Sequence, residues 1–236
     1  MFARKRKIAD QASRSVVLVI KTTNSHNYNP KEGDRITQIA CVEMMNGNLT
    51  GKEFNAFINP NNQQLLTACG ENYRQNLRQD EATALLSNVT NAPTFKDIQP
   101  LLLAFISHDP KTTIIVHQKK HALHFLRHEL DAHGNNELVK FPMESMISKS
   151  AELSHQGLYH AGQYPAEINS NREKLSSTRT YYKFDDICKE LNVSTRLRTG
   201  YSALQDATLL AKAERNRLTL VPADQQQAEV NRPLKK

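Results

Sequence analysis

The sequence predicts an α/β domain, a mixed central sheet with an antiparallel three-stranded N-terminal part, flanked by helices. Three observations point there. Residues 16–20 (VVLVI) are an unbroken aliphatic run, the pattern of a central strand buried on both faces. Residues 35–45 and 49–59 alternate in polarity and meet at Asn46-Gly47-Asn48, a hairpin signal. Residues 112–117 (TTIIVH) form a further β-branched run, and 122–133 after them place Leu123, Leu126 and Leu130 on one helical stripe.

The other elements follow in order. Residues 22–25 read as a turn and 26–34 as a loop. On the third strand Phe54, Ala56 and Ile58 share a face, and Pro60 ends it. Residues 61–88 are expected to be mostly helical, with Leu65, Leu66, Leu77, Ala82, Leu85 and Leu86 turned inward. Thr94 can cap a helix carrying Ile98, Leu101, Leu102 and Phe105, which Asp109-Pro110 terminates. Gly134 is a plausible stop for the next helix. Residues 139–155 suit a short strand and a helix. Residues 156–180 are a long, aperiodic loop. A helix over 182–191 turns Phe184, Ile187, Cys188 and Leu191 inward, and one over 202–215 buries Ala203, Leu204, Ala207, Leu210 and Ala211. The expected organisation is a basic arm (1–13, with Arg4, Lys5, Arg6 and Lys7), one domain (14–214) and a tail (215–236).

With 236 residues, 39% hydrophobic, the chain can bury a core. It has no apolar run of about 18 residues that could span a membrane, and its basic start does not read as a secretory signal. Cys41, Cys69 and Cys188 are few and widely spaced, which suits reduced thiols in a cytoplasmic protein. The formal charge of +7 is compatible with an acidic partner, but the basic residues are scattered and also suit solubility. His117, His121, His124 and His128 are spaced 4, 3 and 4 apart. No Cys or carboxylate motif completes a zinc site there, and a half-exposed stripe is the simpler account.

Six segments, in order over residues 14–214, resemble the motifs and connecting elements of the DnaQ-like DEDDh exonuclease family, which has an RNase H-like fold. VVLVIKTTN resembles that family's first motif, usually VVLDTETTG, and RITQIACVEMMNGNLTGKEFNAFINP resembles its hairpin. NAPTFKDIQPLLLAFI is similar to the helix before the second motif. IIVHQKKHALHFLRHEL resembles the second motif, usually VxHNxxFDxxFLxxEL. YKFDDICKELNV followed by GYSALQDATLLAKA resembles the third, usually HxALxDAxxxA. The wording is nearest to the proofreading, epsilon-subunit type.

The resemblance implies a two-metal phosphodiesterase site, with divalent ions about 3.5–4 Å apart held by oxygen ligands. Carried over, the first two carboxylate positions are Val19 and Lys21, two apart and so on one strand face. Gln118 takes an Asn position. The third carboxylate falls on Ala122, or on His121 if the register slips by one. The general-base His position is Tyr201, and the fourth carboxylate is present as Asp206. A related branch uses a Tyr four residues before this Asp, a slot held here by Ser202. Three of four carboxylates and the base are therefore replaced. A cation where divalent cations should sit repels them, by about 4 kcal/mol per pair of unit charges at about 4 Å and an effective dielectric of roughly 20. Lys21 is expected to pair with Asp206 in place of the metals.

The resulting expectation is a domain that is not an enzyme, a pseudo-exonuclease with no catalytic residue, no metal and no cofactor. It would act as a protein-binding, structural subunit of a larger bacterial-type assembly in the cytoplasm. The alternative is a nucleic-acid-binding protein that does not cleave. A working 3′–5′ exonuclease with relocated ligands is a third reading.

Overall fold

A nine-residue strand, Arg14–Thr22 (β1), lies in the middle of the sheet. The computed structural model describes residues 13–23, 33–132, 137–148 and 183–220. Strand β1 pairs antiparallel with Ile36–Met45 (β2), which pairs antiparallel with Asn48–Phe57 (β3). On its other side β1 runs parallel to Thr113–Val116 (β4), which is parallel to Met143–Ser145 (β5). The order β3-β2-β1-β4-β5 makes a mixed sheet of five strands, whose antiparallel part β3-β2-β1 is the one expected from the apolar run and the hairpin. At the hairpin, Asn46 (φ 49°) and Gly47 (φ 77°) both adopt the left-handed conformation that Asn-Gly supports.

The helices are Gln63–Asn76 (α1), Gln79–Thr90 (α2), Phe95–Ile106 (α3), Lys119–Asp131 (α4), Phe184–Glu190 (α5) and Ala203–Leu220 (α6). Side chains alternate across β1, so the sheet has a core on each face. Val16, Leu18 and Ile20 pack with Ile98 and Leu102 of α3 and Phe125, Leu126 and Leu130 of α4. Val17 packs on the other face with Ile187 and Cys188 of α5 and Ala207 and Leu210 of α6, and Val19 lies against the same cluster. Each such aliphatic side chain contributes roughly 1.5–3 kcal/mol on full burial. This alternation explains the apolar run: a strand covered by helices on both faces has no solvent side.

Several expectations shift. The helical stretch 61–88 is two helices, because Leu77 and Arg78 are extended (ψ 163° and 154°) between α1 and α2. Asn62 caps α1 by accepting the Gln64 and Leu65 N–H groups. The Thr94 cap is present: its N–H and its hydroxyl both donate to Asp97 Oδ2, at 2.9 and 2.6 Å. Leu101 is not on the buried stripe of α3 but is 64% exposed, since the stripe runs through Ile98, Leu102 and Ile106. The last helix does not stop at 215. Glu214 and Arg217 form a buried ion pair at 2.7 Å one turn apart, so the charged end of α6 is packed rather than frayed. Residues 215–220 are therefore helix and not tail. At the other end Ser13 donates its N–H to Asn46 Oδ1, which ties the last residue of the expected arm to the hairpin. The rest of that arm, Gly134, loop 156–180 and the tail beyond 220 lie outside the described residues.

Candidate functional site

The start of α6 is fixed against the sheet by Gln38, a β2 residue whose Oε1 accepts the Ala203 N–H at 2.9 Å. That bond satisfies one of the donors a helix N-terminus leaves open. It also sets the first turn of α6, which holds Asp206, beside β1. Asp206 is 2% exposed. An anion so placed gains from the helix dipole, yet it is too buried to stand without a counter-charge.

Two cations supply that charge. Lys21, near the end of β1, donates from Nζ to Asp206 Oδ2 at 2.6 Å and to the Gly200 carbonyl at 2.6 Å. Arg198 donates from Nε to Asp206 Oδ1 at 2.7 Å and from Nη2 to Oδ2 at 2.9 Å, a bidentate clamp. Its Nη1 reaches Asp185 Oδ1 of α5 at 3.2 Å, and its guanidinium lies 4.2 Å from the centre of the Phe184 ring. Both carboxylate oxygens of Asp206 are thus engaged by nitrogen cations. The Lys21 contact is the one expected from the family positions that the resemblance assigns to Lys21 and Asp206. Arg198 was not foreseen.

Burial alone would push the Asp206 carboxyl up. The Arg198 hydrogen bond, with the charge and hydrogen bond of Lys21, overcomes this and holds it below the usual carboxylate range. Burial draws the Lys21 ammonium down, against the pull of Asp206. Burial, then the neighbouring His117 and His124, draws the His121 imidazole down to about 4, which leaves it neutral at pH 7. Burial pushes the Tyr201 hydroxyl up.

Val19, Lys21, Gln118, His121, Ala122, Tyr201 and Asp206 line one cleft of about 290 Å³, with other residues beside them. Ala122 is buried in α4 and offers only a methyl group. Tyr201 sits edge-on to Tyr73 of α1, with ring centres 5.7 Å apart, so the helical hairpin α1–α2 forms one wall. Ser202 lies outside the lining, and its hydroxyl accepts the Gln205 N–H at 3.2 Å as a helix cap. The histidine stripe does not converge. His124 is exposed, His121 packs on Phe125, and His117 packs on Phe184. Among the described residues no group of three or more His, Cys, Asp or Glu is placed to hold a metal ion. Cys41, Cys69 and Cys188 are buried free thiols.

No family model matches the chain. It is 28% identical over 199 residues to the DNA polymerase III subunit epsilon of Rickettsia prowazekii, covering 84% of this chain and 71% of that one. Against the same subunit of Pasteurella multocida the figures are 24% over 203 residues, 86% and 67%. Among solved structures, the nuclease domain of 3′hExo, a DEDDh family member, aligns with a TM-score of 0.57 at 10% identity, over 89% of this chain and 94% of that one. The RNase domain of yeast Pop2 aligns with a TM-score of 0.54 at 14% identity, over 87% and 76%. At those identities the structural matches establish the fold alone, the α/β sheet with its flanking helices. No helix among the described residues is long and apolar enough to cross a membrane.

Proposed function

Because this chain is a distant member of the DnaQ-like DEDDh 3′–5′ exonuclease family, homologous to the DNA polymerase III epsilon subunit, we propose that it is a pseudo-exonuclease, a non-catalytic domain that serves as a protein-binding subunit of a larger assembly. The observation that carries this reading is the double clamp on Asp206. A pair of hard divalent ions needs several oxygen ligands. The positions that would provide them hold the aliphatic Val19, the cationic Lys21 and the methyl group of Ala122, while the neighbouring His121 is an imidazole. The remaining carboxylate is occupied by Lys21 and Arg198. Those residues do not fit a two-metal centre. A nitrogen cation also holds its place without dissociating, so the salt bridge gives the domain an intrinsic substitute for the ions.

The subunit role is supported by the relatives, whose names describe a component of a polymerase. Incubation with end-labelled single-stranded DNA and manganese should release no nucleotide, and the native protein should co-purify with stoichiometric protein partners. Manganese-dependent release abolished by Asp206→Ala would overturn the reading. One feature favours non-cleaving nucleic-acid binding as the second reading, the basic surplus of the chain. Single-stranded DNA binding that weakens steeply with salt would select it.

A further inference from the structure

Between Asp97 and Asp109 the chain carries no Asp, Glu, Lys or Arg, although α3, which spans most of that stretch, has one side in water. A helix half in solvent ordinarily sets charges on its outer side. Here Pro100, Leu101 and Ala104 are exposed, Leu101 by 64%. Phe105, one turn beyond Leu101, is half-buried, and its ring centre lies 6.1 Å from that of Phe54 on β3. Strand β3 is the outermost strand of the sheet on that side. The outer side of α3 and the edge strand thus share one apolar surface of Pro100, Leu101, Ala104, Phe105 and Phe54.

Both chain termini join the domain at the end of the sheet where α3 finishes. Arg14, which donates to the Phe105 and Ile106 carbonyls, has its guanidinium 5.8 Å from the centre of the Phe105 ring. Ser13 before it donates its N–H to Asn46 Oδ1 at 2.8 Å, and its carbonyl accepts the Asn46 N–H at 2.9 Å. Leu218, near the end of α6, lies against Gly47 of the same hairpin, with Cδ1 2.7 Å from the place a Cβ would take. Residues 1–12 lead into Ser13 and carry Arg4, Lys5, Arg6 and Lys7 against Asp10. Residues 221–236 follow Leu220 and carry Arg232, Lys235 and Lys236 against Asp224 and Glu229. The first segment is net +3 and the second +1, together +4 of the chain's formal +7. The charges around the apolar surface itself balance, Lys52, Lys96 and Lys111 against Glu53, Asp97 and Asp109, so the surplus at this end comes from the terminal segments. The cleft beside Lys21 lies at the opposite end of β1, about 23 Å from Arg14 along the strand.

We infer that this surface docks an acidic amphipathic helix of a partner protein, with the helix's apolar stripe on Leu101, Phe105 and Phe54 and its carboxylates drawn by the basic terminal segments. The charge and the apolar surface together select that occupant. A second copy of this chain brings the same positive surplus and is repelled. A nucleic acid offers phosphates to the basic segments but sets a charged backbone, not an apolar side, against Leu101. An acidic helix with apolar residues three and four apart supplies both halves. The inference rests on the protein-binding reading above and names the surface and the partner's chemistry.

The test is fluorescence anisotropy of the full chain with a labelled peptide of Leu, Ala and Glu, about 18 residues long, whose leucines fall on one helical stripe. Controls are the same composition with the leucines scrambled, and a DNA duplex. The striped peptide should bind with a Kd of about 100 μM or tighter, and the scrambled one at least tenfold more weakly. Leu101→Gln should weaken the striped peptide about tenfold, the effect of one apolar side chain left unburied. Changing Arg4, Lys5, Arg6 and Lys7 together to Gln should weaken it severalfold and remove most of its salt dependence between about 0.01 and 0.15 M, where the screening length falls from about 30 to 8 Å. Near-ultraviolet circular dichroism would verify that both variants are folded. No binding of the striped peptide at about 1 mM would overturn the proposal, as would affinity indifferent to Leu101→Gln or duplex binding that displaces the peptide. A dimer in sedimentation that Leu101→Gln dissolves would also overturn it, by making a second copy the occupant. Nuclease activity in manganese would overturn the reading of the Asp206 site and leave these titrations unchanged, so the two failures are distinguishable.

Discussion

Lys21 Nζ, on the central strand, lies 2.6 Å from Oδ2 of Asp206, in the first turn of the last helix. With Arg198 on both oxygens, the contact makes Asp206 the anionic centre of a cationic pair. A cluster of carboxylates awaiting metals is held together against its own repulsion, and removing one acid relieves it. Here the sign is reversed. Asp206→Ala should destabilise the domain, by about 3 kcal/mol, because it leaves two cations facing each other in a largely buried space. Lys21→Met should cost less, about 1–2 kcal/mol, since Arg198 still covers the carboxylate. Urea denaturation of the two variants would measure the difference. A stabilised Asp206→Ala would contradict it.

The same pair sets a pH dependence. Asp206 titrates below its ordinary value of 3.8 in the folded state. A depressed carboxyl contributes stability that is present above the unfolded value and is lost as pH falls through the folded one. Thermal stability should therefore fall steeply below about pH 4. Asp206→Asn should flatten that limb without abolishing it. Glu43 contributes in the same range: burial would push it up, but Arg14 and Thr50 hold it below its ordinary value of 4.5. Melting curves from pH 6 to pH 2.5 would separate the two contributions.

A second ionic network fastens the opposite end of β1. Arg14 is 5% exposed. It donates to Glu43 Oε1 at 2.7 Å, to Thr112 Oγ1 at 2.7 Å, and to the carbonyls of Phe105 and Ile106 at the end of α3. Those carbonyls have no partner within the helix. Arg14→Ala should cost about 3–5 kcal/mol, as expected for a buried charge left alone and carbonyls left open. Arg14→Lys should recover only part of this, because an ammonium cannot reproduce the guanidinium fork. Equilibrium unfolding of both variants checks the ranking.

Much of the fold was legible because its signals are local. The apolar run of β1, the Asn46-Gly47 turn and the Thr94 cap each act within a few residues, and the structure has all three. The Lys21–Asp206 pair was legible only through the resemblance, which assigns both residues to one site. Arg198 was not. It lies in an aperiodic segment beside Arg196, and nothing in the run RLRTG says which arginine turns inward. Only the tertiary position of α6 decides it: Arg196 is exposed and Arg198 is drawn onto Asp206. The end of α6 was misread for a related reason. Charges at 214–217 look like a solvated tail unless the ion pair that buries them is known.

Arg198 bears on whether carboxylates placed in the cleft could bind metal. A variant with Val19→Asp, Lys21→Glu, Ala122→Asp and Tyr201→His places at those four positions the residue types that the resemblance implies, but leaves Arg198 on both oxygens of Asp206. Manganese should raise its melting temperature little. Adding Arg198→Ala should free Asp206 and give a rise of several degrees, the linkage expected when an ion binds only the folded state. Thermal scans with and without manganese would read this directly.

The most direct measurement is anomalous diffraction from crystals of the unaltered protein soaked in manganese. The salt bridge predicts no metal peak beside Asp206, with Lys21 Nζ still 2.6 Å from Oδ2. Two peaks about 3.5–4 Å apart at that carboxylate, with Lys21 and Arg198 swung away, would contradict it.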